Sequence, residues 1–438
     1  MAQHSEVSRR QFINRTAATG ATALAGFNVM REGYAANYDK IRVGLVGAGY
    51  RGRGALVNVL SLNMNVEIVA LADISQESID ICMDAVKNHR TREGRLKGFN
   101  VTPDRAYVGL DAYKKVIDSD DVDVVFLTTP PGFRPEHFEY AVKAGKHAFI
   151  EKPVGVDPVG IRRVMEAAKL SKQKGLGVLA GTQRRHQPLY LEALKRVQDG
   201  AIGDVISGYM YWNGGSIWYR DRKPGMSEAD YWLYNWYHVD WMSGDHIVEQ
   251  HLHNLDVMNW YMGDHPAKAY GMGGRQFHTD RGGNIYDHFS IEYEYADGRR
   301  VTGMCRQIGG TDSRNKEMFI GSKGVLDMNN KTAEISGETS WNFKSAGRNQ
   351  VYDFSKEYEL EHKDFIESLR AGKPLNESMN VAQSTMTAVL GREAAYTGKV
   401  ITWDDMMASD LNLMPADVKS WNGKLHPVPK PGQKRGAF

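Results

Sequence analysis

Residues 41–52 read Ile-Arg-Val-Gly-Leu-Val-Gly-Ala-Gly-Tyr-Arg-Gly, an apolar run that ends in a G-x-G-x-x-G turn. A helix-like segment, 55–62, follows it. Strand, glycine turn and helix form the setting in which this motif carries meaning. Gly47 makes the tight turn and Gly49 lets backbone approach a pyrophosphate. Gly52 lets the helix lie close to the strand, with the helix N-terminus facing the negative charge. Tyr50 and Arg51 complete the loop. A second apolar run, 66–72, ends in Asp73, 21 residues after Gly52. A carboxylate there accepts hydrogen bonds from both ribose hydroxyls of an adenosine and repels a 2′-phosphate. That favours NAD over NADP.

The pattern repeats along the chain. IRVGLV, VEIVALAD, VDVVFLTT, KHAFIEKP and GLGVLAG are short β-branched runs separated by helical segments, as far as about Thr182. Runs buried on both faces and separated by helices predict a parallel, doubly wound sheet. Ligands in such sheets sit at the carboxyl ends of the strands, where Thr128, Pro130 and the triplet Glu151-Lys152-Pro153 fall. Beyond Thr182 the runs 202–212, 268–273, 285–295 and 299–307 read as longer strands. Phe289, Ile291, Tyr293 and Tyr295 alternate with polar neighbours, and Asp297-Gly298 signals a hairpin. Helices return at 355–371 and 382–397. The expected organisation is a leader at 1–36, an NAD-binding α/β Rossmann domain at 37–182 and a substrate-binding α+β domain at 183–420. The second domain carries a large, mostly antiparallel sheet, and a Pro/Lys-rich surface tail covers 421–438.

With 438 residues, 42% hydrophobic, the chain can build two substantial cores. A net charge of +2, with basic residues dispersed among acidic ones, makes nucleic acid an unsuitable partner. Cys82 and Cys305 lie far apart without metal-site spacing and read as unpaired core residues, although an oxidising compartment would permit a bridge. Near the N-terminus, Arg9-Arg10 precedes a modest apolar stretch, 17–30, too short and weakly apolar to span a bilayer. Ala35 and Ala36 offer a cleavage point. This leader resembles a twin-arginine export signal, which moves folded proteins out of the cytoplasm; the alternative is a disordered cytoplasmic leader. Export to a periplasm would carry NAD outward inside the folded protein, so the cofactor would have to be held tightly and returned to its starting redox state.

GAGYRG, Asp73, the EKP triplet, the segment Gln183-Arg184-Arg185-His186 and the helix near His253 occur in one order. Together they resemble the Gfo/Idh/MocA family of NAD(P)-dependent sugar and polyol oxidoreductases, from about Ile41 to at least Gly263. The resemblance implies a Rossmann domain plus an open-faced sheet, and a homodimer or homotetramer built through that sheet. The arginine-pair leader is also similar to that of exported glucose-fructose oxidoreductases.

Removing hydride from a secondary alcohol needs a proton acceptor, a group polarising the oxygen and groups that fix the sugar. Lys152 is the candidate donor, against the plainer reading of a surface salt bridge. Placed on one helix over 245–261, Ile247, Val248, Leu252, Leu255 and Met258 share one side. His246, Glu249, Gln250 and His253 share the other. His253 matches the family's catalytic histidine and suits proton transfer near neutrality. Glu249, where the family commonly has aspartate, would hold the imidazole or a sugar hydroxyl. His251 replaces a usual glycine and reads as a hydrogen-bonded core histidine. A metal held by His246, Glu249 and His253 is the lesser reading, because the helix supplies no fourth ligand.

Aromatic residues crowd 211–241, among them Trp212, Trp218, Tyr219, Tyr231, Trp232, Tyr234 and Trp236. Such rings stack on sugar C–H faces or serve ordinary packing. Tyr237, His238, Asp240 and Trp241 are placed at the substrate, and Arg185 and His186 could also reach it. The sequence therefore points to an oxidoreductase acting on a small-molecule sugar, glycoside or polyol. Two alternatives stand: a glycosidase that works by transient oxidation and elimination, and a non-catalytic NAD-containing binding protein.

Overall fold

The computed structural model describes residues 39–91, 94–277, 281–343 and 356–433. The expected leader at 1–36 and the last five residues lie outside them. The first sheet has strands β1 (Ile41–Val46), β2 (Val66–Asp73), β5 (Ala106–Val108), β6 (Val124–Leu127), β7 (His147–Ile150) and β8 (Val178–Ala180). A two-residue hairpin, β3 (Arg90–Thr91) with β4 (Gly94–Arg95), stands apart. All pairings in the order β5-β2-β1-β6-β7-β8 are parallel. The edge strand β5, three residues long, is too short to have read as a strand.

Register makes this sheet a platform. Val46 pairs with Ala72 on one side and Leu127 on the other; Leu127 pairs with Ile150, and Ile150 with Ala180. The next residues, Asp73, Gly47, Thr128, Glu151 and Gly181, therefore leave the sheet side by side. Strand order reverses between β1 and β6, which opens a crevice above that row.

The second sheet has nine strands: β9 (Val205–Gly214), β10 (Lys268–Gly274), β11 (His288–Glu294), β12 (Arg300–Gln307), β13 (Arg314–Gly321), β14 (Gly324–Met328), β15 (Ala333–Gly337), β16 (Trp341–Asn342) and β17 (Ile401–Thr402). In the order β16-β15-β14-β13-β9-β12-β11-β10-β17, only β9 with β12 is parallel. The expected alternation holds: Phe289, Ile291 and Tyr293 are buried while Glu292 faces out. The strand stops at Glu294, and a turn through Gly298 (φ +86°) joins β11 to β12, closed by the Tyr295 N–H on the Arg299 carbonyl.

Helices Glu357–Arg370 and Ser378–Thr397 return to the first domain. Glu377 accepts a bond from Ala180 N, and Thr385 Oγ1 accepts one from Val154 N at 3.3 Å. Gly391 lies so close under the Tyr293 hydroxyl that a methyl group there would overlap it. The longer helix is thereby wedged between the two domains and buries nearly its whole length. The C-terminal stretch corrects the expectation of a surface tail. Trp421 packs edge-on against Trp241 at 5.0 Å, and Tyr286 donates to the Pro429 carbonyl. Its Pro/Lys composition had hidden these few apolar anchors.

Candidate functional site

One wall of the crevice is backbone. Gly47 has φ +98°, and a Cβ there would lie 2.7 Å from Thr129 N. A Cβ on Gly52 would overlap the Gly47 carbonyl oxygen, whereas one on Gly49 would meet nothing within 4 Å. Two glycines are thus needed for close packing, and the third leaves open the side from which a phosphate approaches. No side chain caps the Tyr50–Ser61 helix and no acid occupies its first turn, so its N–H groups remain available to an anion. Thr128 Oγ1 donates to the Gly47 carbonyl at 2.6 Å. Asp73 accepts from Ala48 N at 2.7 Å and Ser75 N at 2.9 Å, fixing the loop while retaining lone pairs for a ribose. Burial raises its pKa against those bonds. These residues fit a dinucleotide.

Arg51 turns inward. Its guanidinium bonds Glu151, lies 3.6 Å from Glu361 and stacks over Tyr358 at 4.6 Å. Burial and the neighbouring Glu151 push the fully buried Glu361 well above its ordinary pKa, with Arg51 opposing. Tyr50 faces solvent and Pro130 begins the turn after β6.

The opposite wall corrects the expectation of one continuous helix. Helices His246–Glu249 and Leu252–Met262 are separate, and His251 N bonds back to the His246 carbonyl, five residues earlier. That widened turn is the break. Asp245 opens it at φ +81°, a strained conformation for a non-glycine residue. Its buried carboxylate accepts bonds from Tyr396 Oη, Tyr286 N and His246 N. Burial still drives its pKa up to about 7.

The break keeps the polar side chains together. Lys152 Nζ, following β7 with a cis peptide to Pro153, bonds the Glu249 backbone carbonyl and stands 3.2 Å from Glu249 Oε1. Glu249 thus holds the lysine rather than the imidazole; its other oxygen accepts from Gln250. Burial raises the Glu249 pKa despite Lys152. His253 is also buried, with its pKa pushed well below the ordinary value by desolvation and by the charges of Lys152, Arg184 and Arg51. It is neutral at pH 7, the state a general base requires. The Trp212 ring stacks on it at 5.6 Å. His246, lowered to about 4 mainly by burial, meets the Tyr237 hydroxyl at 3.2 Å. Glu249 is thus bonded to Lys152, and His246 Nδ1 to Tyr237. Among the described residues no three His, Cys, Asp or Glu side chains are grouped for a metal.

Other expected substrate residues are committed elsewhere. Arg185 makes a two-pronged pair with Asp256 at 2.8 and 2.9 Å. His186 lies between Asp364 (2.7 Å) and Glu377 (3.3 Å), whose bonds raise its pKa to about 10 against the opposing effect of burial. Asp240 caps Trp241 N and faces His426, while Trp241 is fully buried between Phe133 and Trp421. His238 Nε2 meets the Trp218 carbonyl at 2.8 Å. Of that group, Tyr237 touches the cleft's titratable cluster, through His246. His251 lies fully buried against β12, its Nε2 close under Gly303. Cys82 and Cys305 are buried free thiols. The roles of Trp212, Asp245, Asp256, Glu317 and Glu361 had no local sequence signal. Each acts through a partner 40 or more residues away, and the backbone strain of Asp245 leaves no mark on composition.

A family model described as "Oxidoreductase family, NAD-binding Rossmann fold" matches residues 41–179, and one described as "GFO/IDH/MocA C-terminal domain" matches 190–327. A glycosyl hydrolase family 109 protein of Streptomyces coelicolor is 26% identical over 254 residues, 54% of this chain and 50% of that protein. The chain thus spans only about half the length of that relative. An inositol 2-dehydrogenase of Rhizobium meliloti is 24% identical, covering 78% of this chain and 92% of the relative. Among solved structures, scyllo-inositol dehydrogenase from Lactobacillus casei with bound NAD(H) and scyllo-inositol superposes with a TM-score of 0.63. It is 19% identical, and the match covers 84% of this chain and 100% of that one.

Proposed function

Since the chain belongs to the Gfo/Idh/MocA oxidoreductase family, we propose that it is an exported, NAD-dependent oxidoreductase of a secondary hydroxyl on a sugar, glycoside or polyol, with its cofactor held tightly. The observation that carries this reading is the meeting of Lys152 and Glu249, brought from different domains to 3.2 Å beside the buried neutral His253. When bound, the nicotinamide supplies the hydride acceptor. The chain supplies the rest. The Gly47–Gly52 loop and the uncapped helix hold the pyrophosphate, and Asp73 takes the ribose. Lys152, kept in place by Glu249, donates to the reacting oxygen, and His253 accepts the hydroxyl proton. In the reverse direction His253 returns it. Replacing His253 by Ala is expected to reduce turnover about 10²–10⁴-fold without releasing NAD. Turnover at the parent rate on every accepted substrate would sink the mechanism. Mass spectrometry of freshly purified, denatured protein checks whether NAD co-purifies.

One observation favours a second reading, the glycosidase of the oxidation–elimination type. A simple alcohol oxidation moves one proton, yet Tyr237 and His246 form a second buried titratable pair beside the same lysine. Release of phenol from nitrophenyl glycosides without added cofactor would select it. The open face of the second sheet supports a homo-oligomer. Met272 (65% exposed), Tyr270 (50%) and Met304 (37%) lie on it beside the stacked Tyr209 and Tyr211. Light scattering tests this, a monomer being the contrary result. Export is tested by Arg9→Lys with Arg10→Lys, which should retain the protein in the cytoplasm.

A further inference from the structure

Between β9 and the helix Glu228–Tyr234, the chain leaves the second domain as an irregular segment, 215–227. It starts at the reacting end of the crevice. Trp212 lies on His253, and six residues later the Trp218 carbonyl is held by His238 while its ring meets Tyr237 at 5.9 Å. Next, Arg220 is clamped by the buried side chain of Asn235, which accepts from Arg220 N at 2.9 Å and donates to its carbonyl at 3.0 Å. The Arg220 guanidinium lies over Trp218 and Tyr234. The segment then crosses to the other domain. Lys223 Nζ pairs with Glu77 at 2.7 and 3.0 Å. Glu77 lies in the first turn of the helix Gln76–Asn88, four residues beyond Asp73, at the adenosine end. Five residues, spanning at most about 17 Å, thus join the hydride-transfer end to the ribose-binding end. Lys-Pro-Gly-Met at 223–226 presents the lysine on a tight turn, with Met226 N on the Lys223 carbonyl and Gly225 at φ +77°.

We propose that segment 218–226 is an outer wall of the dinucleotide site, and that the Lys223–Glu77 pair is the latch that sets how long NAD stays bound. This deepens the tight-cofactor reading and rests on the dinucleotide occupying the crevice. Both latch side chains are half-exposed (44% and 63%), so the pair is weak and screened by salt. It opens readily and shifts a rate rather than the fold.

The test is the release rate of NADH from full-length protein, followed by loss of its bound-state fluorescence after dilution into excess NAD. Lys223→Ala or Glu77→Ala should each speed release about two- to fivefold. The double variant should be no faster than either single one, and Lys223→Glu with Glu77→Lys should restore the parent rate. Raising salt from 0.05 to 0.5 M (about a threefold shorter screening length) should speed release from the parent and leave Lys223→Ala unchanged. Gly225→Ala, whose Cβ would meet nothing within 4 Å while the positive φ strains the turn, should release faster still. Release unchanged in the latch variants, or equal salt dependence in parent and Lys223→Ala, overturns the latch while leaving the cofactor site intact. Failure of the parent to bind NADH at all overturns both.

Discussion

The two walls of the crevice are made of different material. The first is main chain: a row of strand ends in register, glycine turns with no room for a side chain, and helix N–H groups left uncapped. The second is side chain: Glu249, His253, His246, Trp212 and Tyr237, assembled from a broken helix, a strand end and a short 3₁₀ turn. Main chain gives a site indifferent to what the substrate is, suited to a cofactor common to many enzymes. Side chains from separate segments can be exchanged one at a time, which suits the half that selects a substrate. Lys152 stands at the seam, rooted in the first wall and held by the second.

The sharpest way to break this contrast is Gly52→Val. A Cβ there overlaps the Gly47 carbonyl, so helix and loop must separate. NAD binding measured by calorimetry should weaken at least about a hundredfold, the scale of a 2–3 kcal/mol overpacking penalty. Gly49→Ala, facing open space, should fold normally and lose affinity only for the dinucleotide. If Gly52→Val binds NAD as the parent does, the first wall is not a backbone device.

Next is the buried ion pair beneath the second wall. Arg184 bonds Glu317, which also accepts from Asn254 on the helix that carries His253. Glu317 is fully buried, and desolvation raises its pKa in spite of Arg184. Removing it by Glu317→Ala leaves an uncompensated guanidinium and should cost about 3–5 kcal/mol in urea unfolding. A loss below about 1 kcal/mol would mean that the wall does not depend on this pair.

How much was legible in the sequence follows the same division. GAGYRG, Asp73 and EKP were readable because a backbone site needs particular residues at fixed spacing along one chain segment. The alternation in β11 and the Asp297-Gly298 turn were readable for the same local reason. On the second wall only a family pattern pointed to His253 and Glu249, and it did not give the contact of Glu249 with Lys152. Helical periodicity assumed an unbroken 3.6-residue repeat through 245–261 and could not register the widened turn at His251. Arg185 and His186 looked available because their partners, Asp256, Asp364 and Glu377, lie 71 to 191 positions further on. Trp241 looked like a sugar platform because a ring buried under a C-terminal segment has the same sequence signature as an exposed one.

Asp245 gives a test in pH. Its folded pKa of about 7 lies above an unfolded value near 3.9, so the folded state holds the proton more tightly. Its contribution to stability is greatest below about pH 4 and is lost as pH rises through 7, then levels off. From these values the parent should lose roughly 2–3 kcal/mol between pH 5 and 8 on this account, and Asp245→Asn should not. The measurement is urea unfolding of both proteins at the two pH values. Parallel profiles would mean that the carboxyl is ionised throughout and that Tyr396 and the two N–H groups outweigh its burial.

The smallest expected effect probes the contact between ring and base. Trp212 covers His253 at 5.6 Å with planes 22° apart, and Arg184 lies 5.9 Å above the same indole. The indole covers one flank of the imidazole. Trp212→Leu keeps apolar bulk but opens the flank, so solvation of the charged imidazole improves and its pKa should rise toward the ordinary value. The acidic limb of the pH–rate profile should move upward with it. Turnover at pH 8 should fall only about threefold, since Lys152, Glu249 and His253 all remain. A larger loss with no movement of the acidic limb would mean that the ring holds the substrate rather than tuning the base, and would shift Trp212 from the catalytic half of this wall to its selective half.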